Sequence, residues 1–296
     1  MSRSSIWVSA AVVLAALAVT YHDVAAGLVR QWRTDDNYSH GFVVLPLALW
    51  FAWDRRAAVR ALPLEPSRWG LFLLAGSLAL LVTGTLGAEL FLSRISLIGV
   101  LAGLVLFFAG RAHLRALAFP LAFLLLMIPL PALIFNRIAF PLQLLASRAG
   151  ATALEWAGVP VLREGNVLVL ATTTLEVAEA CSGIRSLVSL LTLAIVLGQF
   201  SLRTRWGRGA LALAAVPVAI AANAGRVSGT GLAAHVWSPE AAEGFFHAFS
   251  GWIVFAATFA ALLAVERLIV TIEQRQPAHG AIGTPRMAPT LPARGA

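Results

Sequence analysis

The sequence predicts an all-α polytopic membrane protein: about eight transmembrane helices, an interfacial amphipathic helix and a short outer β-hairpin. Three observations predict it. Of 296 residues, 59% are hydrophobic and only 12% charged, with a mean hydropathy of +0.82, whereas a water-soluble domain carries about 25% charged residues. The apolar excess falls in blocks of about 15 to 22 residues, the length that crosses ~30 Å of hydrocarbon. The charged residues collect between those blocks. A soluble enzyme, a nucleic-acid module and a disordered scaffold are excluded.

In chain order the blocks are 5–21, about 38–53, 69–88, 95–110, 116–135, 182–200, 209–226 and 248–265. The first lies behind one arginine, Arg3, and Val24-Ala25-Ala26-Gly27 resembles a signal-peptidase site. Its length and weak basic flank favour a retained span over a cleaved signal. The second block is the weakest, with a strictly apolar core of 13 residues at 41–53. Prolines at Pro46, Pro120, Pro129 and Pro217 are tolerable where neighbouring helices satisfy the freed carbonyls.

Net charge is +8, and all 22 basic residues are arginine. The arginines act as topology signals. Arg55, Arg56, Arg60 and Arg68 follow the second block, Arg111 and Arg115 the fourth, and Arg203, Arg205 and Arg208 the sixth. Those loops and both termini are expected in the cytoplasm. The acid-richer loops, with Asp35, Asp36, Glu89, Glu155, Glu164, Glu176 and Glu179, are expected outside.

The outer loop 131–180 is too long for a connector in a compact bundle. At 136–158, Ile138, Leu142, Leu145, Ala149 and Leu154 recur at near-helical spacing, which predicts an amphipathic helix in the interface. Alternation at 159–177 around Arg163-Glu164-Gly165-Asn166 predicts the hairpin. Residues 1–270 are read as one transmembrane catalytic domain. Residues 271–296, rich in Pro, Gly, Ala and Arg, are read as a disordered cytoplasmic tail.

One cysteine, Cys181, excludes an internal disulfide and any cysteine-cluster metal site. No zinc-helix, phosphate-loop or EF-hand spacing occurs, so no cofactor or metal is expected. Cys181 opens the sixth block, where unpaired helix N–H groups favour a thiolate. Ser182 follows it, and Arg185 lies on the same face at i+4. Arg226 ends the seventh block in Asn223-Ala224-Gly225-Arg226, and His247 opens the eighth. Two spans separate Cys181 from Arg226 and none separates Arg226 from His247, so all three share one side of the membrane. A nucleophile, a fixed cation and a group titrating near neutrality are what thiol catalysis requires. Spacing alone also admits Cys181 as an apolar filler, Arg226 as a snorkelling side chain and His247 as an interfacial aromatic.

Glu179-Ala180-Cys181-Ser182-Gly183-Ile184-Arg185-Ser186-Leu187 is similar to the cysteine motif of the exosortase/archaeosortase family of membrane transpeptidases. Asn223-Ala224-Gly225-Arg226 resembles that family's arginine segment, His247 with Gly251 its histidine segment, and Asp36-Asn37-Tyr38-Ser39-His40-Gly41 a further signature. The resemblance covers roughly residues 30–265. It implies Cys181 as nucleophile, Arg226 as oxyanion or carboxylate stabiliser and His247 as general acid/base, with Ser182, Arg185 and Asn223 in support. It implies secreted substrates carrying a C-terminal Pro-Glu-Pro-like motif, one transmembrane helix and an Arg-rich tail. Cleavage would occur at the outer face of a bacterial inner membrane, in contact with membrane lipid and without nucleic acid, through a thioacyl intermediate passed to an unidentified acceptor. Exopolysaccharide export is the implied setting.

Tyr38 and His40 are read as interface anchors, outside the catalytic set. A transporter would carry its charges near the bilayer midplane, whereas here they sit at the rims. An acyl- or glycosyltransferase acting on a lipid carrier would not need the thiol. A non-catalytic assembly scaffold would not need the cysteine motif either.

Overall fold

The computed structural model describes residues 3–171, 173–176, 184–236 and 245–275. Within them the chain is a helical membrane protein with one small sheet. Helices α1 (Arg3–Thr34), α2 (Gly41–Asp54), the short α3 (Arg56–Arg60), α4 (Trp69–Leu86), α5 (Leu90–Phe108), α6 (Arg111–Phe123) and α7 (Ala132–Trp156) come first. Strands β1 (Val161–Glu164), β2 (Val167–Leu170) and β3 (Thr174–Glu176) follow, then α8 (Ile184–Ser201), α9 (Arg205–Val236) and α10 (Phe245–Arg275).

Five described segments are long and apolar enough to cross a membrane: Ala11–Thr34, Trp69–Leu86, Leu90–Phe108, Arg205–Val236 and Ile253–Arg275. Six qualify if the bent pair Arg111–Met127 and Ala132–Trp156 is one span. Each of the expected eight blocks contains helix among the described residues, but two are short and a third, 116–135, is interrupted. At 1.5 Å per residue, the 14 residues of α2 reach only about 21 Å. The apolar stretch Ser186–Ser201 of α8 is short as well. The candidate cleavage site Val24–Gly27 lies inside α1. Residues 271–275, expected in the tail, belong to α10; the rest of the expected tail, 276–296, lies outside the described residues.

Helices α4 and α5 form a tight antiparallel pair because small residues face each other. A methyl on Gly103 would come 2.9 Å from Cγ of Leu74, and Gly70 and Gly99 lie as close to Phe107 and Ser77. Between helices solvated by lipid, such close approach is the main source of cohesion.

The block expected as one span at 116–135 is broken. Helix α6 ends at Phe123, one 3₁₀ turn covers Leu124–Met127, and α7 departs at 77°. Pro129 and Pro131 explain the local extension: each lacks an N–H and pushes its predecessor out of the helical region. Three side chains from the stretch ahead of α2 hold the broken backbone. Trp32 Nε1 donates to the Met127 carbonyl at 2.9 Å. His40 Nε2 lies 2.9 Å from the Leu126 carbonyl, and the Leu130 N–H donates to the Tyr38 hydroxyl at 3.2 Å. Tyr38 is buried. It is therefore a clamp on the break and not the interface anchor its position suggested.

The amphipathic helix and the hairpin form as expected, with one addition: β3 extends the hairpin to an antiparallel sheet in the order β1-β2-β3. The sheet packs on α7 through Leu154, Val159, Leu168 and Leu170, and Val227 of α9 joins the same cluster. Ser147, fully buried on α7, donates its hydroxyl to the Gly165 carbonyl in the β1–β2 turn at 2.8 Å.

Helices α8, α9 and α10 enclose a second core around Leu190, Ala194, Leu211, Ala215 and Leu262. Glu273 near the end of α10 staples the turn between α8 and α9. It accepts from the Arg203 N–H at 3.0 Å, the Thr204 N–H at 3.2 Å and the Thr204 hydroxyl.

Candidate active site

The Glu273 staple sets a common origin for three helices. Counting 1.5 Å per residue from it, Ile184 lies about 27 Å up α8, Arg226 about 33 Å up α9 and His247 about 39 Å up α10. The three positions are thus stepped about one turn apart at the same end of the bundle.

Sequence reasoning put Arg226 at the end of its helix, but α9 runs ten residues further, to Val236. The extension packs against α7. A methyl on Gly231 would lie 2.8 Å from Cδ1 of Leu154, and one on Gly150 would lie 2.7 Å from Cγ1 of Val227. Glycine at both positions lets the two backbones approach, so the sheet and α7 wall the level at which Arg226 sits. Arg226 is half-buried there, and Asn223, one turn earlier, is buried. Both have interaction partners.

The other expected site residues are placed only in part. Arg185 is the second residue of α8 and His247 the third of α10; their side chains lie outside the described residues. So do Cys181 and Ser182. Among the described residues no three His, Cys, Asp or Glu side chains gather where they could hold a metal ion.

The turn Asp36–Tyr38 belongs to this same end. Phe200, near the close of α8, meets Trp50 and Phe51, near the close of α2, at ring-centroid distances of 4.8 and 5.9 Å. The turn Asp36–Tyr38, ahead of α2, also packs against α8, so the two helices run in the same direction and the turn lies towards the start of α8. His40 behind it is half-buried, with its Nδ1 lacking a hydrogen-bond partner. Since a carbonyl can only accept, the bond to Leu126 requires Nε2 to carry the proton.

The family profile described as Transmembrane exosortase matches residues 32–264. The chain belongs to the transmembrane exosortase family. That match covers most of the chain and runs from Trp32, in the clamp, through Cys181, Arg226 and His247 into α10. Exosortases are cysteine-dependent membrane transpeptidases or proteases that act on sorting signals of secreted proteins. Neither the curated proteins nor the solved structures contain a match to this chain.

Two features escaped the sequence reading. The clamp of Trp32, Tyr38 and His40 joins segments about 90 residues apart, a pairing no local pattern reveals. Arg94 is buried in the second turn of α5. A signal was present: it is an arginine flanked by Leu92, Ile95 and Leu97, on the edge of the block taken to begin at 95.

Proposed function

We propose that this exosortase cleaves the C-terminal sorting signal of secreted proteins with Cys181 as nucleophile. The observation that carries the reading is the family match across all three candidate residues. It is supported by the start of α8, Arg226 and the first turn of α10 lying at one end of the bundle. Cys181 is tethered to Ile184 by three residues, a reach of at most about 11 Å.

In this mechanism the Cys181 thiolate attacks the scissile carbonyl, forming a C–S bond. Negative charge moves to the carbonyl oxygen, where Arg226 and backbone N–H groups near Ser182 receive it. The intermediate collapses, the C–N bond breaks, and His247 delivers a proton to the departing amine. The thioester then acylates an acceptor nucleophile, or water, and the thiolate is regenerated. Arg185 adds positive charge beside the thiolate, and Asn223 buttresses Arg226. The arginine-rich loops support a cytoplasmic side for the opposite end of the bundle, and in this reading the site faces the periplasm of a bacterial inner membrane. The substrate's motif is Pro-Glu-Pro-like, with its single helix in the bilayer and its Arg-rich tail inside.

The test is processing of a tagged substrate of that design in membranes carrying wild type, Cys181→Ala, Arg226→Lys or His247→Gln. Cys181→Ala should abolish processing at unchanged membrane abundance. Arg226→Lys should lower it at least tenfold, because a point charge does not reproduce the planar fork. Undiminished processing by Cys181→Ala would remove sulfur from the mechanism.

A further inference from the structure

Arg94 is 5% exposed, and no other arginine among the described residues is buried. Its guanidinium makes no hydrogen bond or ion pair among the described residues; Glu89 and Tyr38 act on it only through longer-range charge interaction. Its stem is buried while its nitrogens have no hydrogen-bond partner among the described residues, so an anionic partner that reached them would be favoured. An ionisable side chain inside a membrane span is a functional-site candidate for that reason.

The guanidinium borders a 610 Å³ cavity between the end of α1, the start of α5 and the break before α7. That volume is in the range of ligand sites. Two carboxylates also line it, and both are already engaged as helix caps. Asp35 Oδ1 accepts from the Asn37 N–H at 3.0 Å, and Glu89 Oε1 accepts from the Phe91 N–H at 3.1 Å. The stretch Pro129-Leu130-Pro131 lines the cavity as well. It has no spare donor: proline carries no N–H, and that of Leu130 is given to Tyr38. The cavity therefore offers the fork of Arg94 as its one cationic donor, beside the side-chain amides of Gln31, Asn37 and Asn136, among many acceptors.

A peptide matches this set. The backbone N–H of its acidic residue suits a carbonyl or the second oxygen of a cap, and the acidic side chain suits the planar fork of Arg94. An anionic lipid headgroup could use Arg94 but brings no amide N–H donors for the acceptor-rich wall. The turn Asp36–Tyr38 lines the cavity on one side and packs on α8 on the other, so an occupant lies next to the start of α8.

From this geometry we infer that the Arg94 cavity seats an acidic side chain of the peptide whose cleavage is proposed above. The inference rests on that reading for its peptide, but its test does not require turnover. Full-length protein in phosphatidylcholine nanodiscs is titrated with labelled acetyl-Pro-Glu-Pro-amide and acetyl-Pro-Gln-Pro-amide, followed by fluorescence anisotropy. Wild type and Cys181→Ala should both bind the Glu probe about tenfold more tightly than the Gln probe. In Arg94→Gln that ratio should fall below about twofold, and Arg94→Lys should recover part of it. Thermal melts of each variant separate lost binding from lost fold. Equal binding of both probes by wild type, or discrimination surviving in a folded Arg94→Gln, overturns the inference. It is also overturned if phosphatidylglycerol stabilises wild type but not Arg94→Gln while neither peptide competes, since the cavity then holds a lipid headgroup. Discrimination that persists while Cys181→Ala still processes substrate would remove the proposed chemistry and keep the seat.

Discussion

Gly150→Ala tests the close approach that positions Arg226. The new methyl would lie 2.7 Å from Cγ1 and 3.4 Å from Cβ of Val227, so the first contact is about 0.8 Å inside the ~3.5 Å that two carbons tolerate. Val227 is buried and β-branched, and in a helix such a side chain has one strongly preferred rotamer. The strain must then pass to the α9 backbone, one residue from Arg226. Alanine alone would favour the α7 helix by about 1 kcal/mol over glycine, while overpacking costs about 1–3 kcal/mol. The variant should therefore lose up to about 2 kcal/mol of stability. Processing should fall more steeply, by about 10- to 100-fold, because a displacement near 1 Å at a reacting group costs that much. Stability is read from thermal melts of the purified protein and processing from immunoblots of a tagged substrate. Val227→Ala in the same chain removes Cγ1 and should restore both, a coupling of at least about 1 kcal/mol. A Gly150→Ala variant more stable than wild type would refute the reasoning, since helix propensity would then be the only term acting.

Two further substitutions probe the ends of the bundle. Tyr38→Phe removes the acceptor of the part-buried Leu130 N–H and should cost about 0.5–1.5 kcal/mol, the usual net worth of such a hydrogen bond; trypsin accessibility of Arg137 and the melting temperature would report it. Glu273→Ala strips three accepted bonds from the turn between α8 and α9. It should lower the melting temperature by several degrees, whereas Glu273→Gln, which retains one acceptor oxygen, should lower it less.

Much of the architecture was legible in the chain. The blocks expected at 69–88 and 95–110 became Trp69–Leu86 and Leu90–Phe108, because hydrocarbon thickness dictates how long an apolar run must be. The 3.6-residue periodicity at 136–158 became α7, and the alternation after it became strands, since each pattern presents one apolar face in only one backbone conformation. The candidate site was legible as a set of residue types on one side of the membrane. Its walls were not. The passage of α9 beyond Arg226 depends on Gly150 of α7 meeting Val227 and on Gly231 of α9 meeting Leu154, a contact between segments about 80 residues apart.

Proline shows where the boundary lies. Pro46, Pro141 and Pro217 sit inside unbroken helices, while Pro129 and Pro131 accompany a 77° bend. The residue type is the same, so the amino-acid sequence determined only where a helix could break. Whether it did was decided in three dimensions: Trp32, Tyr38 and His40 arrive from elsewhere in the fold and supply the hydrogen bonds that the extended backbone can no longer make for itself. Composition and period settle what each segment can become alone, and only packing settles which polar groups find a partner once water is gone.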